Sequence, residues 1–121
     1  MADSDGMRDL VDLKERLRAF AAERDWDQFH SPKNLAMALS VEAAELVEIF
    51  QWLTEEESEA LDADRRRRAA EELADVLWYL VRIADRLDID LLQAAGEKLE
   101  RNAVKYPVDR VRGQSRKYDE Y

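Results

Sequence analysis

This chain has no cysteine, one histidine, two prolines and three glycines among its 121 residues. Without cysteine there is no disulfide framework and no thiolate metal site, and a single histidine excludes a multi-histidine zinc site. Any metal must therefore be held by oxygen. So few prolines and glycines leave little for the many turns of a β fold, while 46% hydrophobic residues over this length suffice for one core. The expectation is a single all-α domain over residues 1–121. No run approaches the roughly eighteen apolar residues of a membrane span. The opening MADSDGMRDL has neither a basic n-region nor an apolar h-region. A soluble, cytoplasmic protein with no membrane partner is expected.

Positive charge is outweighed by negative, 19 Lys/Arg against 28 Asp/Glu. A formal charge of −9 argues against a general nucleic-acid binder, which needs a basic surface to displace counterions. From Lys98 onward, however, seven Lys/Arg face four Asp/Glu, a local +3 that leaves −12 on the rest. That asymmetry suits a small anionic ligand meeting cations at one end and a metal at the other, although solvated helix faces also produce it.

Apolar periodicity predicts four main helices and a short connecting one. Leu10, Leu13, Leu17, Phe20 and Ala21 give one face to a first helix over about Met7 to Arg24. Ser31-Pro32 supplies an N-cap and a first-turn proline for a second, reaching about Leu53. Thr54-Glu55-Glu56-Glu57 spells a capping box for a short helix to about Leu61. Arg65 to Arg68 open the next long helix, ending near Leu87. Asp90 caps the last, which Pro107 stops near Tyr106. Residues 1–6 and about 108–121 read as tails, the latter extended.

The helix over 69–87 is apolar nearly all round. Ala69, Val76, Tyr79, Ile83 and Leu87 form its core stripe, and Ala74, Leu77, Trp78 and Val81 a second face that a small bundle cannot cover. An oligomer follows, either a dimer or a dimer of dimers with the back of this helix at the interface; symmetric self-association is commoner than a mixed assembly, and a homotetramer is the reading adopted.

Two carboxylates stand where leucines belong. At about 100° per residue, Leu35, Leu39, Leu46, Ile49 and Leu53 share a stripe centred on Glu42, and Glu72 occupies the same place in its own helix. Each has an acid three residues on, Glu45 and Asp75. Two antiparallel helices would aim ExxE and ExxD at one another. Buried acids at close range repel, and neither stripe holds a Lys or Arg, so a divalent cation is the expected partner. An all-oxygen set selects Mg²⁺ or Mn²⁺. The ferritin-like di-iron alternative requires ExxH pairs, and His30 is in none. A lone ExxE carries little information; two of them centred in apolar stripes carry much more. Glu48, about 120° from Glu42, reads as a surface acid first and an outer or second-metal ligand second, and Glu71 as solvated.

SVEAAELVEIFQW followed by EELADVLWYL resembles the ExxE…ExxD signature of the MazG-like all-α nucleoside triphosphate pyrophosphohydrolases. The likeness is greatest to the dCTP pyrophosphatase group, because AAERDWDQFHSPKNLAMAL, DLLQAAGEKLERNAVKYPV and RGQSRKY also match. It covers roughly residues 10 to 118. It implies Mg²⁺-dependent hydrolysis of a nucleotide between the α and β phosphates, with Glu42, Glu45, Glu72 and Asp75 as catalytic metal ligands. It implies nucleotide contacts from Lys98 and Asn102, which share a face with Lys105, and base or sugar contacts from Trp26, Trp52 and Tyr79. His30, beside Phe29, is a further candidate for the base, and Arg112, Lys117 and Tyr118 for closure over the triphosphate. Trp78 reads as core. Val41 stands where many MazG-like proteins have an acid. Competing expectations are a hydrolase of other or modified pyrimidine nucleotides, and a non-catalytic helical module binding a partner around Trp78.

Overall fold

A computed structural model describes residues 6–115 and 120, and every regular element in them is helical. The chain divides into two compact units, 1–88 and 89–121. The first holds α1 (Leu10–Glu23), a 3-10 turn (Asp27–Phe29), α2 (Pro32–Phe50), α3 (Glu55–Glu59) and α4 (Ala63–Arg86); the second holds α5 (Leu91–Lys105) and α6 (Val108–Val111).

Each helix start has a local cause. Ser31 Oγ accepts the Asn34 amide at 3.1 Å, with Pro32 in the first turn, where no amide hydrogen is needed. Thr54 and Glu57 form the expected capping box, through contacts of 3.1 and 2.8 Å. The long fourth helix begins before the arginine run, because Asp62 caps it by accepting the Arg65 amide at 2.7 Å. α1 and α4 are each followed by an aspartate with positive φ, Asp25 at 54° and Asp88 at 55°. Aspartate tolerates this left-handed geometry better than most side chains. The region after Pro107, expected to be extended, instead makes one further helical turn, and Val111 donates its amide to Pro107 O.

α2 packs along α4. His30, just before α2, meets Arg82 near the end of α4, whereas Glu42 meets Glu72 nearer its beginning, so the two helices run antiparallel. Among the described residues the buried side chains are Leu13, Leu17 and Ala21 of α1, Leu35 and Ile49 of α2, and Ala69, Val81 and Ala84 of α4, joined by one charged residue, Arg82.

The back of α4 is covered differently from the expectation. Phe20 of α1 meets Trp78 edge to face at 5.0 Å, and Val81 is buried within the chain. What stays open among the described residues includes Leu73, Leu77 and Leu80, within about 60° of one another on the helix, with exposed Ala74 beside them. Leu87, expected in the core stripe, is exposed beyond the last turn.

Candidate active site

Residues 72, 75, 79 and 82 recur along one side of α4, which therefore presents in order an acid, an acid, a tyrosine and an arginine. The facing stretch of α2 contributes Glu42 and Glu45. Carboxylate oxygens of Glu42, Glu45 and Glu72 all lie within 4.8 Å of one another. Glu42 Oε2 and Glu72 Oε2 are buried, and no group among the described residues other than the acids themselves can donate to them. A buried polar atom without a partner is costly, so this pair calls for something positive.

The electrostatics agree. The Glu42 carboxyl is pushed up to about 7, first by sharing a hydrogen with Glu72, then by desolvation, then by Glu45 and the charge of Asp75. All of these influences disfavour the ionised form. Asp75 thus acts on Glu42 through its field but stands outside the group of three converging oxygens. One turn along α4, burial and the charges of Glu42 and Asp75 hold the Tyr79 hydroxyl above its ordinary pKa. The donor set consists only of carboxylates, which fits a hard divalent cation.

Tyr79 also lines a cavity of about 40 Å³, with Phe20, Trp26, His30, Leu35, Trp78 and Arg82 around it. Phe20 and Trp26 are edge to face at 5.6 Å, and Trp26 lies 6.1 Å from the His30 ring. At the inner end Arg82, 5% exposed, donates Nε–H to His30 Nδ1 at 3.2 Å. Its other nitrogens pair with Asp27 and with Asp85 at 3.3 Å. Arg18 closes on Asp85 from outside at 2.5 Å and holds that carboxyl below its usual pKa. Burial, then the Arg82 charge, lower the His30 pKa, so the ring is neutral at neutral pH.

The MazG-like family model matches residues 37–121. The chain belongs to the MazG-like family. It is 48% identical over 113 residues to human dCTP pyrophosphatase 1, covering 92% of this chain and 66% of that protein. The Bos taurus protein of the same name is 48% identical over 111 residues, covering 90% and 66%. The chain thus spans just under two thirds of the length of these curated relatives. A crystal structure of a pyrophosphatase from Archaeoglobus fulgidus superposes with a TM-score of 0.78 at 40% identity, covering 84% of this chain and 94% of that one.

Within this MazG-like chain the expected site residues fall into groups. Glu42, Glu45 and Glu72 converge, Asp75 adjoins them, and Tyr79, Trp26 and His30 share the neighbouring cavity. Trp52 is 85% exposed just past the end of α2 and lies apart from that cavity. Lys98 and Asn102 lie on α5 in the second unit, the lysine exposed and the asparagine half-buried. Arg112 caps α6 and is exposed, while Lys117 and Tyr118 lie outside the described residues.

Sequence reasoning missed the inner end of the cavity. Arg82 is the lone cation between Leu73 and Ala84, and a cation in such a run needs an acid; Asp85, one turn on, was the available signal. Nothing in the local pattern pointed to Asp27 or Phe20 as its neighbours.

Proposed function

We propose that this MazG-like chain is a metal-dependent nucleoside triphosphate pyrophosphohydrolase. It hydrolyses the link between the α and β phosphates, preferring dCTP, to give the monophosphate and pyrophosphate. One observation carries the reading: three carboxylates converge with two buried, donorless oxygens directly beside an aromatic-walled cavity. The names of the human, bovine and archaeal relatives support the same reaction.

Glu42, Glu45 and Glu72 would hold the ion, with Asp75 completing the set, and Mg²⁺ or Mn²⁺ is the class that all-carboxylate ligation favours. When bound, such an ion neutralises phosphate oxygens and polarises the phosphorus toward attack by water. The chain's own residues do the placing. Trp26 and Tyr79 offer faces for a pyrimidine ring, and His30 offers a polar edge. Tyr79 bridges the two regions, so a base in the cavity directs its phosphates toward the acids. Lys98 and Asn102 are the proposed phosphate and sugar contacts, Trp52 a further base contact, and Arg112 a cation for the triphosphate; each rests on family likeness. Hydrolysis then adds water across the phosphoanhydride: its oxygen bonds to phosphorus, the bridging oxygen leaves with the other product, and the proton passes to solvent or a free carboxylate.

The exposed strip Leu73, Leu77, Leu80 supports self-association, with a homotetramer as the proposed assembly. Among the described residues no helix is long and apolar enough to cross a membrane. The cytoplasmic nucleotide pool is the proposed setting.

A panel of dNTPs and NTPs with Mg²⁺, analysed for products, tests the proposal. Monophosphate plus pyrophosphate, fastest from dCTP, is expected, and activity should collapse in Glu42→Gln. Release of orthophosphate, or full activity in that variant, overturns it.

A further inference from the structure

We propose that Arg82 is a positioning residue for nucleotide selection: by donating to His30 Nδ1 it fixes the ring as an Nε2–H donor at the cavity wall. Such a donor favours a pyrimidine with a bare ring nitrogen over one with N–H at that place. The inference rests on the pyrophosphohydrolase reading and deepens it by naming what separates cytosine from uracil or thymine.

The geometry leaves His30 one arrangement. Arg82 has only donors, so the 3.2 Å contact from its Nε requires Nδ1 to be the bare nitrogen. A neutral imidazole carries its single hydrogen on the other nitrogen, and the depressed pKa keeps the ring neutral. No hydrogen bond among the described residues takes that Nε2 hydrogen, and the ring lines the cavity together with Trp26 and Tyr79. It is therefore the polar group His30 can offer to a bound base.

Arg82 is itself held rigidly. It is 5% exposed, anchored by Asp27 on one side and Asp85 on the other, and Arg18 braces Asp85. Neutralising the two aspartates would need only a cation. Bonding Nδ1 in addition needs the planar fork of a guanidinium, which presents Nε and the terminal nitrogens in fixed directions. Lysine has the charge without that fork.

The chemical consequence is discrimination. Cytosine has a lone pair at N3, which accepts the Nε2 hydrogen; uracil and thymine carry N3–H, which would face it donor to donor. A site built to bond one partner rejects the other strongly, because a desolvated donor is left without an acceptor.

The chain has one histidine, so its imidazole nitrogens can be read without assignment in ¹⁵N-histidine-labelled full-length protein. At neutral pH the wild type is expected to show a protonated Nε2 and a bare Nδ1; hydrogen on Nδ1, or on both nitrogens, overturns the proposal. Arg82→Lys and Arg82→Gln are expected to lose this fixed form. Their dCTP over dUTP ratio of kcat/KM should fall roughly 10-fold or more, mainly through KM for dCTP. An unchanged ratio in both variants overturns it. Should neither fold, His30→Gln, whose amide still donates, is compared with His30→Leu. The preference should survive in the first and vanish in the second, and equal behaviour of the two overturns the proposal. If the wild type hydrolyses no triphosphate, the activity reading fails by itself. The positioning inference is then judged by binding, with the Nε2 resonance moving more with dCTP than with dUTP if it is right and equally if it is wrong.

Discussion

Glu42 of α2 and Glu72 of α4 face one another in the helix interface, each with one oxygen buried and without a donor. No neighbouring side chain or backbone group among the described residues supplies that donor. On the proposed metal-dependent reading, the pair links stability to the cation bound at the cluster, and several measurements follow from it.

Removing one acid should make the metal-free protein firmer and the metal irrelevant. Glu42→Gln is expected to raise metal-free stability by about 1 kcal/mol, since it trades a repelling carboxyl for an amide that can donate to Glu72. The same variant should lose the rise in melting temperature on adding Mg²⁺, and at least ~10²-fold in kcat/KM. Paired thermal melts with and without Mg²⁺ check this; a retained metal shift would refute it.

The pH dependence has a defined sign. A Glu42 pKa raised to about 7 means that the native state binds this proton more tightly than the unfolded chain. Its contribution is full below about 4.5 and is lost as pH climbs through about 7. Asp85 works oppositely: its depressed pKa stabilises above the usual aspartate value, and that support is lost as pH falls through the depressed one. Metal-free melting temperature should thus decline from about pH 5 to about pH 8, and saturating Mg²⁺ should abolish the decline. Calorimetry in buffers of different ionisation heat should detect proton release on metal binding near neutrality. A flat metal-free profile would contradict this account.

Arg82 and Arg18 both pair with Asp85, but their surroundings differ. Arg82→Ala strips a buried cation from Asp27 and Asp85 and should cost ~3–5 kcal/mol. Arg18 reaches Asp85 from a largely exposed position, where solvent already screens it, so Arg18→Ala should change stability little. Urea unfolding of the two variants side by side distinguishes them.

Assembly should depend on the open strip of α4. Leu73→Lys, at a position 55% exposed in the chain, should lower the particle mass in light scattering while leaving the helical signal intact. A wild type that already elutes as a monomer would remove the basis for this expectation.

Element by element, the helices were legible because their causes are local. Ser31, Thr54 and Asp90 act within three residues of themselves, and Pro107 ends α5 through its own ring. The start of α4 lay further upstream than the arginine run suggested, since Asp62 caps it. The short turn at Val108–Val111 carries too few residues for periodicity to register. Glu42 and Glu72 were visible as acids out of place because a helix of period 3.6 assigns each position to a face before any partner is known.

The sequence by itself thus determined an all-helical chain and the acids that break its apolar stripes, from which a divalent cation was the expectation. Only the tertiary structure decided that three of the four acids converge while Asp75 acts from beside them. It alone placed α1 over part of α4 and brought Asp27, His30 and Arg82 together across more than fifty residues of chain. The physical reason is range: capping and periodicity act within one or two turns, whereas the partner of a buried charge is chosen by how whole helices dock.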